Sequence, residues 1–393
     1  MKLSVFTPTN NIEWINRPFL SLKHQIDRDP SLNVEWVLLQ NNNVKIPDHI
    51  SSLPWVKVFT APEDLKTIGG LKKMACELST GDVFIELDHD DELLAGSLKI
   101  INNALQGKEN AFLYSDKYNF NPDGTDRTYS SYYGWRTYQY NGRTIMMSFE
   151  PNPRSLCEIF FAPDHVRVWT RKAYELAGGH NKDLLVGDDH QLVIKTYLAG
   201  AEFVLIRQPL YTYYVHGNNS WLKHCDDVQK QQALNRDTFL RPLISEWCRR
   251  ESLPKANFYD IRDREILPNS IGHIHISDEL TSLPPGQSII NFFNKCYEAL
   301  TPAGWLTIDV PSTDGRGAFC DPTHVSFWNE LSFRYYTNKN YAKFLPNFDG
   351  KFQQVVLKTH FPNKWHEDNK ICYTRSDMCA LKGQWQASVN LFD

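Results

Sequence analysis

Val83-Phe84-Ile85-Glu86-Leu87-Asp88-His89-Asp90-Asp91-Glu92 opens as a mainly apolar run and closes as a knot of acids. An apolar run of this length, without polar alternation, predicts a strand buried on both faces. Such strands belong to sheets covered by helices on either side. Working outward, Leu3–Thr7, Val34–Leu39, Val56–Thr60 and Ala111–Tyr114 have the same character. Between them, Gly69–Thr80 sets Leu71, Met74, Ala75 and Leu78 at helical spacing, and Leu93–Leu105 reads as a further helix. Strands alternating with helices predict an α/β fold with an open, largely parallel sheet. Ligands of such sheets sit beyond the carboxyl ends of the strands. Asp88 and Asp90 fall there.

Two apart in extended backbone, Asp88 and Asp90 are expected to point the same way. Converging carboxylates at a strand end suit a hard cation, Mn²⁺ or Mg²⁺, with positions left for diphosphate oxygens. The plain alternative is an acidic loop in which Asp91 caps the next helix. A second acidic pair, Asp188-Asp189, opens the predicted helix Asp189–Ala199. Asp189 is the candidate general base and Asp188 its orienting partner; an acidic helix N-terminus facing the dipole is the alternative. His216, after the Tyr-rich stretch Tyr211–Tyr214, is placed to complete a metal shell or meet a phosphate.

The 393 residues suit two domains. At 41% hydrophobic and 22% charged residues, wholesale disorder is excluded. A formal net charge of −4 excludes a globally basic nucleic-acid coat but leaves room for a local basic groove. Eight cysteines without a C-x-x-C pair point to reduced thiols rather than a disulfide scaffold or zinc ribbon. No apolar run approaches the ~20 residues of a membrane span, and the start turns polar too early for a signal peptide. The expectation is a soluble cytoplasmic protein, in host cytoplasm if the source is viral.

From about 117 to 155 the periodicity lapses. Within it, Arg127–Arg143 holds six aromatics and three arginines and no acid. Tyr133, Trp135 and Arg136 are candidate acceptor contacts, since such rings stack on sugars or on exposed bases; covering a sheet edge is the alternative. Arg171–Ala177 is the next predicted helix, Glu202–Ile206 and Leu210–Tyr214 are strands, and Asp226–Arg250 is a long helix containing Pro242. From about 255, Ala256–Tyr259, His273–Ile276, Gln287–Leu300 and Trp305–Val310 outline a second α/β segment. The expected layout is a catalytic domain at 1–225, a linking helix at 226–254 and a smaller module at 255–393.

Taken in order, Ser4-Val5-Phe6-Thr7-Pro8-Thr9-Asn10, Asp88-His89-Asp90, Gly178-Gly179, Asp188-Asp189 and His216-Gly217-Asn218-Asn219-Ser220 resemble family-2 glycosyltransferases of the GT-A fold, over roughly residues 1–220. The resemblance implies a mixed sheet flanked by helices and a nucleotide-sugar donor, a UDP-sugar first, with Mn²⁺ or Mg²⁺ on its diphosphate. Asp88 and Asp90 would touch ribose and metal, Asp189 would serve as base, and His216 would lie near metal or diphosphate. Thr7, Pro8 and Thr9 would line the nucleoside pocket, and Lys72 and Lys73 occupy a helix where the family carries a basic donor contact. Where the family has an acid for the nucleobase, this chain has Gln40-Asn41-Asn42-Asn43, so the carbonyl of Asn41 is the candidate acceptor. One base and no protein nucleophile imply single displacement with inversion, moving a hexosyl or pentosyl group to an acceptor hydroxyl.

The second segment resembles the latter half of a class I methyltransferase. Ala299-Leu300-Thr301-Pro302-Ala303-Gly304-Trp305-Leu306 carries the turn, and Asp321-Pro322-Thr323-His324 with Trp328-Asn329 is similar to methyltransferase-like viral proteins. The glycine-rich first strand that lets backbone approach a cofactor is missing, so this partial Rossmann-like module is expected to bind no S-adenosylmethionine. Two acceptors follow: a glycan, or a hydroxymethylated base in viral DNA. The rival readings are a non-catalytic carbohydrate- or nucleotide-binding scaffold and, disfavoured, an active methyltransferase.

Overall fold

A computed structural model describes residues 1–127 and 136–383. The chain forms two compact units, Met1–Leu243 and Ile244–Asp393.

Among the described residues, the first unit holds a ten-stranded mixed sheet: β1 (Lys2–Thr9), β2 (Asn33–Gln40), β3 (Val56–Thr60), β4 (Val83–Glu86), β5 (Glu92–Leu93), β6 (Ala111–Phe120), β7 (Thr137–Tyr140), β8 (Arg143–Met146), β9 (Arg167–Thr170) and β10 (Glu202–Tyr214). The order is β3-β2-β1-β4-β9-β6-β10-β5, with the β7–β8 hairpin attached to β6. β1 to β4 pair in parallel, whereas β9 lies antiparallel between β4 and β6. The sheet is therefore mixed. Leu3, Val5, Trp36, Leu38, Val83, Ile85, Leu113 and Val168 are fully buried and pack against Phe19, Leu22, Leu98, Ile101 and Leu105 from helices Asn16–Arg28 and Ser97–Leu105. Each such side chain contributes about 1.5–3 kcal/mol by leaving water.

Two expectations change. The helix read over Leu93–Leu105 begins only at Ser97, because Glu92 and Leu93 pair antiparallel with Thr212 and Tyr211 of β10. Asp91 caps nothing; it is bonded across the sheet, as described below. The two strands read over Glu202–Ile206 and Leu210–Tyr214 are one, with register shifts at Ile206, Pro209 and Tyr211 where the proline has no amide to donate.

In the second unit β11 (Lys255–Asn257), β12 (Ile271–Ile276) and β13 (Leu300–Pro311) run parallel, and β15 (Tyr373–Ala380) then β14 (Phe352–His360) continue antiparallel. Helix Gln287–Ala299 lays Ile289, Phe292, Phe293 and Cys296 on this smaller sheet. Phe293 stacks on Tyr336 with ring centres 3.9 Å apart. All eight cysteines are free. No helix among the described residues is long and apolar enough to cross a membrane.

Candidate active site

The site grows from the end of β4. The strand stops at Glu86, and Leu87–Asp91 bends into a turn closed by the Asp91 amide on Asp88 O (3.3 Å). Asp88 and Asp90 thus converge through a turn, and not through the extended backbone expected. The turn is pinned from three sides. The Leu87 amide bonds Phe6 O, the Leu87 carbonyl accepts from Thr7 Oγ1 at 2.6 Å, and Arg17 Nη1 donates to Asp90 O at 3.2 Å. Deepest lies Asp91, 0% exposed, accepting from Tyr211 Oη (2.9 Å) and from the Tyr214 amide (2.8 Å).

Asp88, Asp90 and Asp91 each offer an oxygen within 4.8 Å of the others. Burial, with the neighbouring acids Glu86 and Asp90, pushes Asp88 above the usual carboxylate range. Burial, Asp90 and Asp88 push Asp91 further up. Burial would raise Asp90 too, but His216 and His89 outweigh it and hold it low. Crowded carboxylates that repel one another are relieved by a cation, and an all-oxygen set at this spacing fits Mg²⁺ or Mn²⁺. His216 braces the cluster and adds no ligand in this tautomer: Nδ1 accepts from the Asn218 amide (3.2 Å), so Nε2 donates to Asp90 Oδ2 at 2.7 Å. Its ring stacks on Trp14 at 6.4 Å.

The second acidic pair sits where the sequence places it, at the start of helix Asp188–Leu198 after Gly187 in left-handed backbone (φ +73°). Asp188 is buried and faces His180 Nδ1 at 2.8 Å. Asp189 is ion-paired with Arg167 of β9, whose side chain is 2% exposed. Burial would raise Asp189, but Arg167 and Lys72 outweigh it, so the carboxylate stays ionised far below its ordinary range. Gly69 lets the two segments meet: a Cβ there would lie 2.1 Å from Asn181 O and 3.0 Å from Asp188 Cβ.

Of the other sequence candidates, Thr7 is fully buried and accepts from the Trp36 indole (2.9 Å), bracing the strand ends. Pro8 is half-buried, and Thr9 bonds the Asn11 carbonyl. Asn41 is buried, its amide on Thr9 O and its side-chain oxygen on the Asn42 amide. Lys72 is buried in an ion pair with Glu86 (2.5 Å) and feels Asp88, Asp188 and Asp189, while Lys73 is half-buried. Arg136 is exposed; Tyr133 and Trp135 lie outside the described residues.

Sequence reasoning missed Glu86, His165 and Arg167. Arg167 Nη1 touches Asp189 and lies 3.8 Å from Glu86, whose partner is Lys72. His165 is 7% exposed, with Nδ1 on Asp164 (3.0 Å) and Nε2 3.9 Å from Asp88. A signal was present. Charges inside the apolar runs 83–87 and 166–169 must find partners when buried.

No protein-family model matches the chain, and no curated protein matches its sequence. Among solved structures the chain is similar to TarS from S. aureus. Its fragment 1–349 gives a TM-score of 0.45 at 14% identity, covering 76% of this chain and 81% of that one. The same fragment in complex with UDP-GlcNAc gives 0.45 at 14% identity, covering 76% and 82%. The longer TarS structure gives 0.46 at 13% identity, covering 96% and 72%.

Proposed function

We propose that the first unit is a divalent-cation-dependent glycosyltransferase that moves a sugar from a nucleotide-sugar donor, a UDP-sugar first, to an acceptor hydroxyl with inversion. One observation carries the reading. A cation-fitted acid cluster, Asp88, Asp90 and Asp91 with His216 beside it, shares one network with the ionised pair partner Asp189, through His165 and Arg167.

When bound, Mn²⁺ or Mg²⁺ supplies Lewis-acid compensation for negative charge growing on the departing diphosphate. The remaining work belongs to side chains. Asp88 and Asp90 hold the cation seat, and His216 steadies Asp90. Asp189, kept ionised by Arg167, accepts the proton of the attacking hydroxyl. Its low basicity suits a transition state in which the hydroxyl has already begun to bond and so acidifies. Asp188, fixed by His180, orients the helix start. Single displacement forms no covalent sugar intermediate, so no second carboxylate is needed as a nucleophile. The acceptor is a glycan or a hydroxymethylated base in viral DNA; beside the Tyr138 hydroxyl, Arg207 is paired with Asp116 and Glu150.

The test is hydrolysis of a panel of UDP-sugars, with and without Mn²⁺, by the wild type and Asp90→Ala, followed by glycan and hydroxymethylated-DNA acceptors. Cation-dependent cleavage lost in Asp90→Ala is expected. Cleavage by neither protein under any condition favours the non-catalytic scaffold.

A further inference from the structure

Next to the outer acid cluster, and sharing Asp88 with it, lies a second group to which the proposed chemistry gives no cation. Glu86, Asp88 and His165 each present a ligand atom within 4.8 Å of the other two. His165 is prepared as a nitrogen ligand. Its Nδ1 donates to Asp164 Oδ1 at 3.0 Å, and Asp164 is itself held by Lys117 at 2.7 Å. The ring is stacked against Tyr211 and Tyr213, with centres 4.9 and 5.6 Å away. Arg167 Nη1, only ever a donor, lies 3.4 Å from Nε2, so Nε2 carries the lone pair. That lone pair faces Asp88 Oδ2 at 3.9 Å. A carboxylate behind a histidine with the lone pair on its far nitrogen is how metal-ligating histidines are oriented; here that lone pair meets Arg167 Nη1, which an entering cation displaces.

A second, independent observation points the same way. Glu86 is 1% exposed, and its Oε1 faces Lys72 and Arg167. Its Oε2 is buried and has no hydrogen-bond partner. A buried carboxylate oxygen left bare costs on the order of 1–3 kcal/mol or more. Something of positive charge belongs there.

We propose that Glu86 Oε2, Asp88 and His165 Nε2 form an inner divalent-cation seat, sharing Asp88 with the outer seat of Asp90 and Asp91 that His216 braces. The two carboxylates suit Mn²⁺ as well as Mg²⁺, and the single imidazole tips the set toward the transition-metal ion. The inference rests on the proposed cation dependence and deepens it. Lys72 and Arg167 meet Glu86 through Oε1 and leave Oε2 to the seat, while Arg167 Nη1 also approaches His165 Nε2 and must turn toward Asp189 when a cation enters.

Mn²⁺ titration of the full chain with UDP present, read by electron paramagnetic resonance and calorimetry, tests it. The wild type is expected to bind two equivalents of Mn²⁺. His165→Asn and Asp90→Asn should each bind one, and Asp164→Asn should keep two with the weaker site loosened by about 10–100-fold. A thermal melt of each variant establishes that it is folded, and Asp164→Asn carries the test if His165→Asn is not. One equivalent in the wild type, or two of unchanged affinity in His165→Asn and Asp164→Asn, overturns the inner seat. If that single equivalent vanishes in Asp90→Asn, the outer seat stands; if no Mn²⁺ binds at all, the proposed cation dependence falls with it.

Discussion

Arg167 reaches Asp189 with the same Nη1 that lies 3.4 Å from His165 Nε2, so one buried guanidinium links the proposed base to the floor beneath the acid cluster. The pair keeps the Asp189 carboxylate charged at every physiological pH. Replacing Asp189 by Asn keeps shape and removes the proton acceptor. Transfer to an acceptor is expected to fall about 10²–10⁴-fold in kcat, while UDP binding measured by calorimetry stays within a few-fold of wild type.

Arg167→Met should act on the fold first. It removes one partner of a desolvated pair and leaves Glu86 and Asp189 with Lys72 alone. Breaking a buried pair this way costs about 3–5 kcal/mol. Urea unfolding of the two proteins is the check, and an unchanged midpoint would contradict the burial described here.

His216→Ala removes the nitrogen beside Asp90 and leaves the other carboxylates in place. The Mn²⁺ concentration for half-maximal donor cleavage should rise about tenfold or more, with kcat at saturating Mn²⁺ changed less. An equal loss at all Mn²⁺ concentrations would remove His216 from the cation seat.

His190 supplies a further pH dependence, in which burial outweighs the opposing pull of Asp189. Burial holds its pKa down at about 4, and its Nε2 donates to Leu156 O at 2.8 Å. Folded protein keeps the ring neutral while unfolded chain protonates it near pH 6.5. The contribution is therefore full above about pH 6.5 and declines as pH falls toward 4. By linkage it amounts to about 3 kcal/mol across that window. Unfolding free energies at pH 4, 5, 6 and 7 should fall less steeply in His190→Gln than in wild type.

Gly69→Ala tests the packing under the acidic pair. Its new methyl would meet the Asn181 carbonyl, which is backbone and has no rotamer to yield. The loop carrying Asp188 must shift, so both the melting temperature and kcat should drop. Gly70→Ala is a poorer probe, because its nearest neighbour is the flexible Leu65 side chain.

Much of the frame is readable in the residues. β1, β2, β4 and the start of β6 coincide with the apolar runs of the first half, since strands buried on both faces carry their burial in nearly every side chain; β3 coincides too, although only its Val56 is buried. β9 is harder to read: Arg167-Val168-Trp169-Thr170 begins with a charge, and its place between β4 and β6 depends on partners 80 and 50 residues away in the chain by rough count. β5 is two residues long and exists only because β10 pairs with it. The acids Asp88, Asp90 and Asp189 stand out as clusters at element ends. Glu86, His165 and Arg167 do not, because each is a lone polar residue in or beside an apolar run and owes its meaning to a distant counter-charge.

The Asp91 amide closes on its neighbour Asp88, but the two hydrogen bonds to its carboxylate both come from β10, more than a hundred residues later. A polypeptide halted on the ribosome before Tyr211 would already contain every carboxylate of the turn and still lack the clamp that arranges them. Competence to hold a cation should therefore arise abruptly, a little past the middle of the chain, when β10 zips onto the sheet. Fragments ending short of Tyr214 would be blind to Mn²⁺ however well their first strands fold.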